Sequence, residues 1–241
     1  MALSTTRAVI LQTYRYSDTS KILRLMTVER GPCSAVARGA LRPKSRYGGM
    51  LEPFVEGEAT LYLKQNRELH TLSSFDLVRE RRDIGHSLEL YTVACVLCEL
   101  VMRLAPQHRD NDLYRTLVSG LDHLHRCAQR GEEEGGLEHI WALVSTLGFR
   151  PELDHCVACG RKIENEPARF DFVAGGLSCS NCGPGGRGLE SAELRVLRSL
   201  AAGKPAMRSH GRQGQWLADF IHYHMSEGTT LRSLRFLREM A

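Results

Sequence analysis

Alternating apolar and polar residues dominate the first eighty residues of the chain, and this is the pattern of β-strands. The alternation is clearest at 55–64, where Val55, Ala59, Leu61 and Leu63 share one face. Four other short apolar runs, separated by turn residues, lie at 8–14, 21–28, 33–37 and 69–78. Five short strands in this length predict a small barrel, of either the oligonucleotide-binding (OB) type or the SH3-like type.

Beyond residue 80 the apolar period lengthens to three or four residues, which is typical of amphipathic helices. Ser87 and Asp110 are placed to cap two helices, and a third pattern runs from about 137 to 147. Three further helical patterns lie at about 191–202, 212–226 and 229–239. The sequence therefore predicts an α+β protein, with a five-stranded OB-like β-barrel domain over 1–80 and a helical domain over 81–241.

A segment at about 150–188, inserted between the third and fourth helices, carries two C-x2-C pairs. They are Cys156 with Cys159 and Cys179 with Cys182. This spacing is typical of a zinc site, because each short turn directs two thiolates at one point. Four thiolates close the coordination sphere, so we expect one structural Zn²⁺ and no metal-activated water.

Cys95 and Cys98 repeat the same local spacing but lie on the apolar stripe of the first predicted helix. They are interpreted as core cysteines. The sequence contains no recognisable catalytic motif, so we expect a protein that is not an enzyme.

Charge is distributed unevenly along the chain. The formal net charge is +4, but residues 1–50 hold nine Lys/Arg against two acids, which gives +7 there and −3 for the rest. Such an asymmetry favours an N-terminal part that faces a polyanion, with a solvated basic surface as the alternative.

In an OB barrel the ligand lies across strands 2 and 3, under the loops that join strands 1–2 and 4–5. Basic side chains there would neutralise phosphates, and a tyrosine could stack on a base. The candidate nucleic-acid contacts are Arg15, Tyr16, Lys21, Arg24, Arg38, Arg42, Lys44, Arg46, Lys64 and Arg67. Glu56 and Glu58 are expected on the outward face of the fourth strand, where they would repel a phosphate backbone. A row of Arg232, Arg235 and Arg238 on the last helix is a second candidate, with a solvated helix face as the favoured alternative.

The composition, with 42% hydrophobic and 25% charged residues, is that of an ordinary globular protein. We find no targeting segment and no stretch that could span a bilayer. We therefore expect a cytoplasmic protein with no membrane partner.

Short motifs spread along the chain resemble the RecO family of bacterial recombination mediators. They lie at 8–11, 14–23, 37–45, 51–54, 147–160 and 231–237, in the family's order. The resemblance implies an OB-fold domain, a helical domain, often a four-cysteine zinc module, and no catalytic residues.

The resemblance also implies a function in recombinational repair, at the bacterial nucleoid. The family binds single- and double-stranded DNA, anneals complementary strands and, with RecR and RecF, helps to load RecA onto DNA coated by single-strand-binding protein (SSB). Two other interpretations remain open from the residues alone: an RNA- or ribosome-associated OB-fold protein with a zinc module, and a zinc enzyme.

Overall fold

The N-terminal strands form a sheet whose order closes on itself. A computed structural model describes residues 2–63, 67–164, 166–182, 186–205, 210–225 and 231–239. The strands are β1 (Ala2–Arg15), β2 (Lys21–Thr27), β3 (Gly31–Ala37), β4 (Glu56–Leu63) and β5 (Leu69–Arg79). Their order is β1-β2-β3-β5-β4, and β4 pairs back with β1. This confirms the OB-like barrel.

Strand β1 is longer than its apolar run predicts, because it pairs on both sides. Its first half pairs with β4 from Ala2↔Leu63 to Val9↔Glu56, and its second half pairs with β2. A register irregularity between Ile10 and Gln12 marks the bend. The pairing of β1 with β4, the last strand in the order, closes the sheet.

Apolar side chains from all five strands fill the barrel, with Ile10, Leu25 and Leu61 fully buried. The long connection between β3 and β4 contributes to this core through Tyr47 and Leu51. The hydroxyl of Tyr47 donates to the Leu72 carbonyl at 3.2 Å. The loop is therefore packed against the barrel through these two residues.

The helical part begins after a 3₁₀ turn at Arg82–His86. Its helices are α1 (Leu88–Leu104), α2 (Asn111–Gln129), α3 (Leu137–Thr146), α4 (Ser191–Ala201), α5 (His210–Met225) and α6 (Arg232–Glu239). Ser87 accepts a hydrogen bond from the Leu90 amide at 3.2 Å, and Asp110 accepts one from the Leu113 amide at 2.9 Å. Both predicted caps are confirmed.

The segment between α3 and α4 folds as a small sheet module. Strands β6 (Ala168–Asp171), β7 (Gly176–Ser178) and β8 (Arg187–Leu189) form a sheet in the order β7-β6-β8. Phe170 on β6 packs edge-on against Trp216 of α5, with ring centroids 5.3 Å apart. The module is thus packed onto the helices.

The barrel and the helices share a core. Val9, Leu11, Met26 and Phe54 of the barrel belong to the same buried cluster as the apolar faces of the helices. A close approach supports the junction, since a Cβ on Gly31 would lie 2.2 Å from the His108 carbonyl oxygen. Gly31 also has φ +74°, a left-handed conformation that favours glycine.

Glu56 corrects one expectation. The alternation places it on the outer face of the barrel, but it is buried there under α2 and does not face solvent. Its carboxylate accepts hydrogen bonds from Arg81 at 2.8 Å and from the Tyr114 hydroxyl at 3.2 Å. The carboxylate is therefore neutralised within the protein.

Across the described ranges, the structure contains no helix with the length and apolar character needed to cross a membrane.

Candidate nucleic-acid interface and metal centre

A cleft of about 380 Å³ opens on the barrel where three segments meet. These are the β1–β2 loop, the end of β3 with the loop that follows, and the start of β5. The lining residues are Tyr16, Thr19, Ser20, Val36, Arg38, Gly39, Arg42, Arg67 and Leu69. Parallel pairing of β3 with β5, for example Ser34↔Leu69, brings the last segment beside the others. The amide of Leu41 donates to the Thr19 carbonyl at 3.0 Å and joins the first two.

The cleft is cationic. Arg38, Arg42 and Arg67 are exposed, and the cleft lining contains no acidic residue. Within the described ranges, none of the three guanidinium groups forms an ion pair. Tyr16, with 59% of its surface exposed, lies at the same cleft. Arginines that are free to bind phosphate, beside an accessible aromatic ring, form an arrangement suited to a single nucleic-acid strand.

Three exposed candidate residues lie outside this lining. Arg15 is exposed and lies 3.7 Å from Asp18, and Lys44 is exposed in the β3–β4 loop. Arg46 stacks over Tyr47 at 5.0 Å and donates to its hydroxyl at 3.0 Å. Lys64 lies outside the described residues.

Lys21 and Arg24 are engaged within the barrel and are not brought into the cleft. The ammonium group of Lys21 donates to the Leu51 carbonyl at 3.1 Å and to the Glu52 carboxylate at 2.7 Å. Arg24 donates to the Ser34 hydroxyl at 2.8 Å. Sequence reasoning finds the charge of both residues but not these intramolecular partners. It also missed Thr19 and Ser20, although their place in the β1–β2 loop is a usable signal.

The four cysteines of the module converge on one point. The sulfur atoms of Cys156, Cys159, Cys179 and Cys182 all lie within 4.8 Å of one another, so the group could hold a metal ion. Cys156 and Cys179 are buried, whereas Cys159 and Cys182 are exposed. The first turn is closed by a hydrogen bond from the Gly160 amide to the Cys156 carbonyl at 2.8 Å, and Gly160 has φ +72°.

The clustering of these thiols shifts the pKa values of Cys156 and Cys182 in opposite directions. Backbone amides donate to Cys156 Sγ, led by that of Cys179 at 3.3 Å, and they lower the pKa of this thiol to about 6. Hydrogen bonds with Cys159 and Cys179 raise the pKa of Cys182 to about 12. A divalent cation would stabilise all four thiolates at once, and an all-sulfur donor set fits zinc.

Two family models match the chain. "Recombination protein O N terminal" matches residues 1–81, and "Recombination protein O C terminal" matches residues 85–229. Together they cover the barrel and nearly all of the helical part.

Several curated proteins named "DNA repair protein RecO" are similar over most of the chain. The protein from Anaeromyxobacter sp. (strain K) is 32% identical, covering 96% of this chain and 94% of the relative. That from Symbiobacterium thermophilum is 34% identical over 83% and 79%, and that from Geobacter sulfurreducens is 32% identical over 97% and 96%.

Proposed function

The chain belongs to the RecO family of DNA repair proteins, and from this premise we propose that it binds single- and double-stranded DNA and anneals complementary strands. It does so by binding alone, without a catalytic step. Residues 1–80 form the nucleic-acid-binding domain. Residues 81–241 form the helical domain, whose four-cysteine module at about 150–188 holds one structural Zn²⁺.

The observation that carries this proposal is the cationic cleft. Arg38, Arg42 and Arg67 come from separate segments, yet they line one cleft together with Tyr16. Their side chains are free for phosphates, in contrast to Lys21, which is paired with Glu52. Phosphate contacts through arginine and stacking on tyrosine are both tolerant of sequence, as annealing of arbitrary strands requires.

In the cell the protein would cooperate with RecR, and with RecF, to load RecA onto single-stranded DNA covered by SSB. This part of the proposal rests on family membership. Annealing adds a physical requirement, because two like-charged strands must approach each other and a cationic surface reduces their repulsion.

Charge reversal in the cleft tests the DNA-binding part. We expect Arg38→Glu with Arg42→Glu to lower the affinity for a fluorescent single-stranded oligonucleotide and to flatten the salt dependence of binding. Loss of two phosphate contacts should reduce the slope of log K against log salt by about 1.4, at roughly 0.7 per contact. Fluorescence anisotropy over a salt series measures both quantities.

Arg103→Glu with Arg195→Glu is the matched control, because both arginines are exposed on helices and the net charge changes equally. This control should keep the wild-type slope. Equal losses in the two double variants would assign binding to overall charge and would overturn the role of the cleft. Competition with an RNA of the same sequence distinguishes the RNA-binding alternative.

Annealing of complementary strands coated with SSB tests the mediator part. The wild type should accelerate annealing, and the cleft variant should lose this effect while the helical control keeps it. If the wild type bound bare DNA but did not accelerate annealing of SSB-coated strands, the mediator role alone would be refuted.

A further inference from the structure

A second group of potential metal ligands lies in the helical part, away from the cysteines. His123 is on α2, and Glu138 and His139 are in the first turn of α3. Each offers a ligand atom, and the three atoms all lie within 4.8 Å of one another. Glu138 Oε1 is 3.4 Å from His123 Nε2 and 3.9 Å from His139 Nε2.

These distances are close to those between ligands of a tetrahedral zinc ion. Bonds of about 2.0–2.1 Å from zinc to nitrogen or oxygen place neighbouring ligand atoms roughly 3.4 Å apart. The Glu138–His123 pair already has this separation, and the Glu138–His139 pair exceeds it by less than one ångström. The ligand atoms of His123 and His139 lie within 4.8 Å of each other. Small rotations of the side chains would complete the geometry.

Burial of Glu138 gives an independent reason to expect a cation. Its side chain is only 6% exposed, and among the described residues its ion-pair partners are the two histidines. A buried carboxylate is costly without a compensating charge, and a divalent cation bound by Glu138 and both imidazoles would supply that charge.

An ion can reach this group from solvent. A cleft of about 270 Å³ is lined by His123 and Glu138, together with Cys127, Leu137 and Gln213. His123 and Glu138 therefore border space that water can enter. Two imidazoles and one carboxylate form a donor set that suits zinc and its first-row neighbours.

We propose that His123, Glu138 and His139 form a second metal site, for a divalent transition ion of the zinc class, that ties α2 to the first turn of α3. The site is independent of the proposed DNA-binding function. It also shares no ligand with the four-cysteine group, so the two sites can be separated by substitution.

Metal content of the full chain tests the proposal. After equilibration with zinc chloride and removal of the excess, the wild type should hold two zinc ions. Glu138→Gln with His139→Gln should hold one, and Cys159→Ser with Cys182→Ser should also hold one. His222→Gln, which changes an exposed histidine on α5, is the control and should keep two. Mass spectrometry of the metal and circular dichroism of the same samples give stoichiometry and folding together.

Cobalt provides a second readout in the Cys159→Ser/Cys182→Ser protein. Bound cobalt there should show the weak visible bands of nitrogen and oxygen ligands, and these bands should disappear when Glu138→Gln and His139→Gln are added. If the Glu138/His139 variant fails to fold, His123→Gln replaces it, because that ring is more exposed. A wild type with one zinc, or a folded Glu138/His139 variant that keeps two, would overturn the proposal.

Discussion

Arg81 is fully buried where the barrel meets the helices, and its guanidinium group has three hydrogen-bond partners. It donates to the Phe54 carbonyl at 2.7 Å, to Glu56 at 2.8 Å and to Asp122 of α2 at 2.7 Å. The cation thus joins β4, the turn before it and α2 through one side chain. Removal of a single partner from such a network leaves an uncompensated buried charge.

We expect Arg81→Ala to lower the free energy of unfolding by about 3–5 kcal/mol, because Glu56 would remain buried without its cation. Urea denaturation followed by circular dichroism measures the change. Arg82→Ala is the adjacent control, since Arg82 is exposed and, within the described ranges, its ion-pair partner is the carboxylate of Glu80. The control should stay within about 0.5 kcal/mol of the wild type. If both substitutions lowered the free energy of unfolding equally, Arg81 would not be the residue that links the barrel to the helices.

Alternation along β4 predicts correctly that Glu56 points away from the barrel interior. It could not predict the burial of Glu56, because the covering groups are distant in sequence, at 25 residues for Arg81 and 58 for Tyr114. Local periodicity describes one strand at a time. The residues that another element covers are decided by packing.

The elements whose geometry depends only on residues close in sequence were predicted best. The caps at Ser87 and Asp110 and the C-x2-C turns need only neighbouring residues, and all have the expected geometry. The alternation of apolar residues does not reveal strands β6, β7 and β8, because three or four residues are too few to show a period of two. OB topology indicated which loops to consider as binding loops, whereas the internal partners of Lys21 and Arg24 required the folded structure.

The cysteine module provides the prediction for a single element. Cys159→Ser with Cys182→Ser should abolish metal binding at this site, and we expect faster amide hydrogen exchange over 156–182 with unchanged exchange in β1–β5. Both cysteines are exposed, so substitution by serine leaves no cavity. The faster exchange therefore reports the loss of the metal ion, which contributes on the order of 10 kcal/mol to the folding of such sites.

Cys33→Ser is the control for this element, because Cys33 lies on β3, outside the four-cysteine group. It should keep the zinc content and the exchange pattern of the module. Unchanged exchange over 156–182 in the Cys159/Cys182 variant would show that the module folds without a metal.

For the whole molecule, the distribution of charge and the distribution of apolar surface have different consequences. The two parts differ in charge, since the cationic cleft is lined by residues of the barrel and its loops. Apolar packing joins the two parts, because Val9, Leu11, Met26 and Phe54 belong to the helical core and not to the barrel interior. A barrel released from the helices would expose these side chains to water, at about 25 cal/mol for each Å² of apolar surface.

We therefore expect the barrel and the helices to unfold in one transition. Both tryptophans, Trp141 and Trp216, lie in the helical part, so their fluorescence reports that part, while amide exchange in β1–β5 reports the barrel. The two midpoints in urea should coincide in the wild type. Leu97→Ala in the core of α1 should lower the free energy of unfolding by about 2–5 kcal/mol and shift both midpoints equally. Arg103→Ala on the exposed side of α1 should leave both midpoints unchanged. If the strands stayed protected at urea concentrations where the fluorescence change is complete, the shared core would not couple the two parts, and the barrel could be studied as an independent DNA-binding unit.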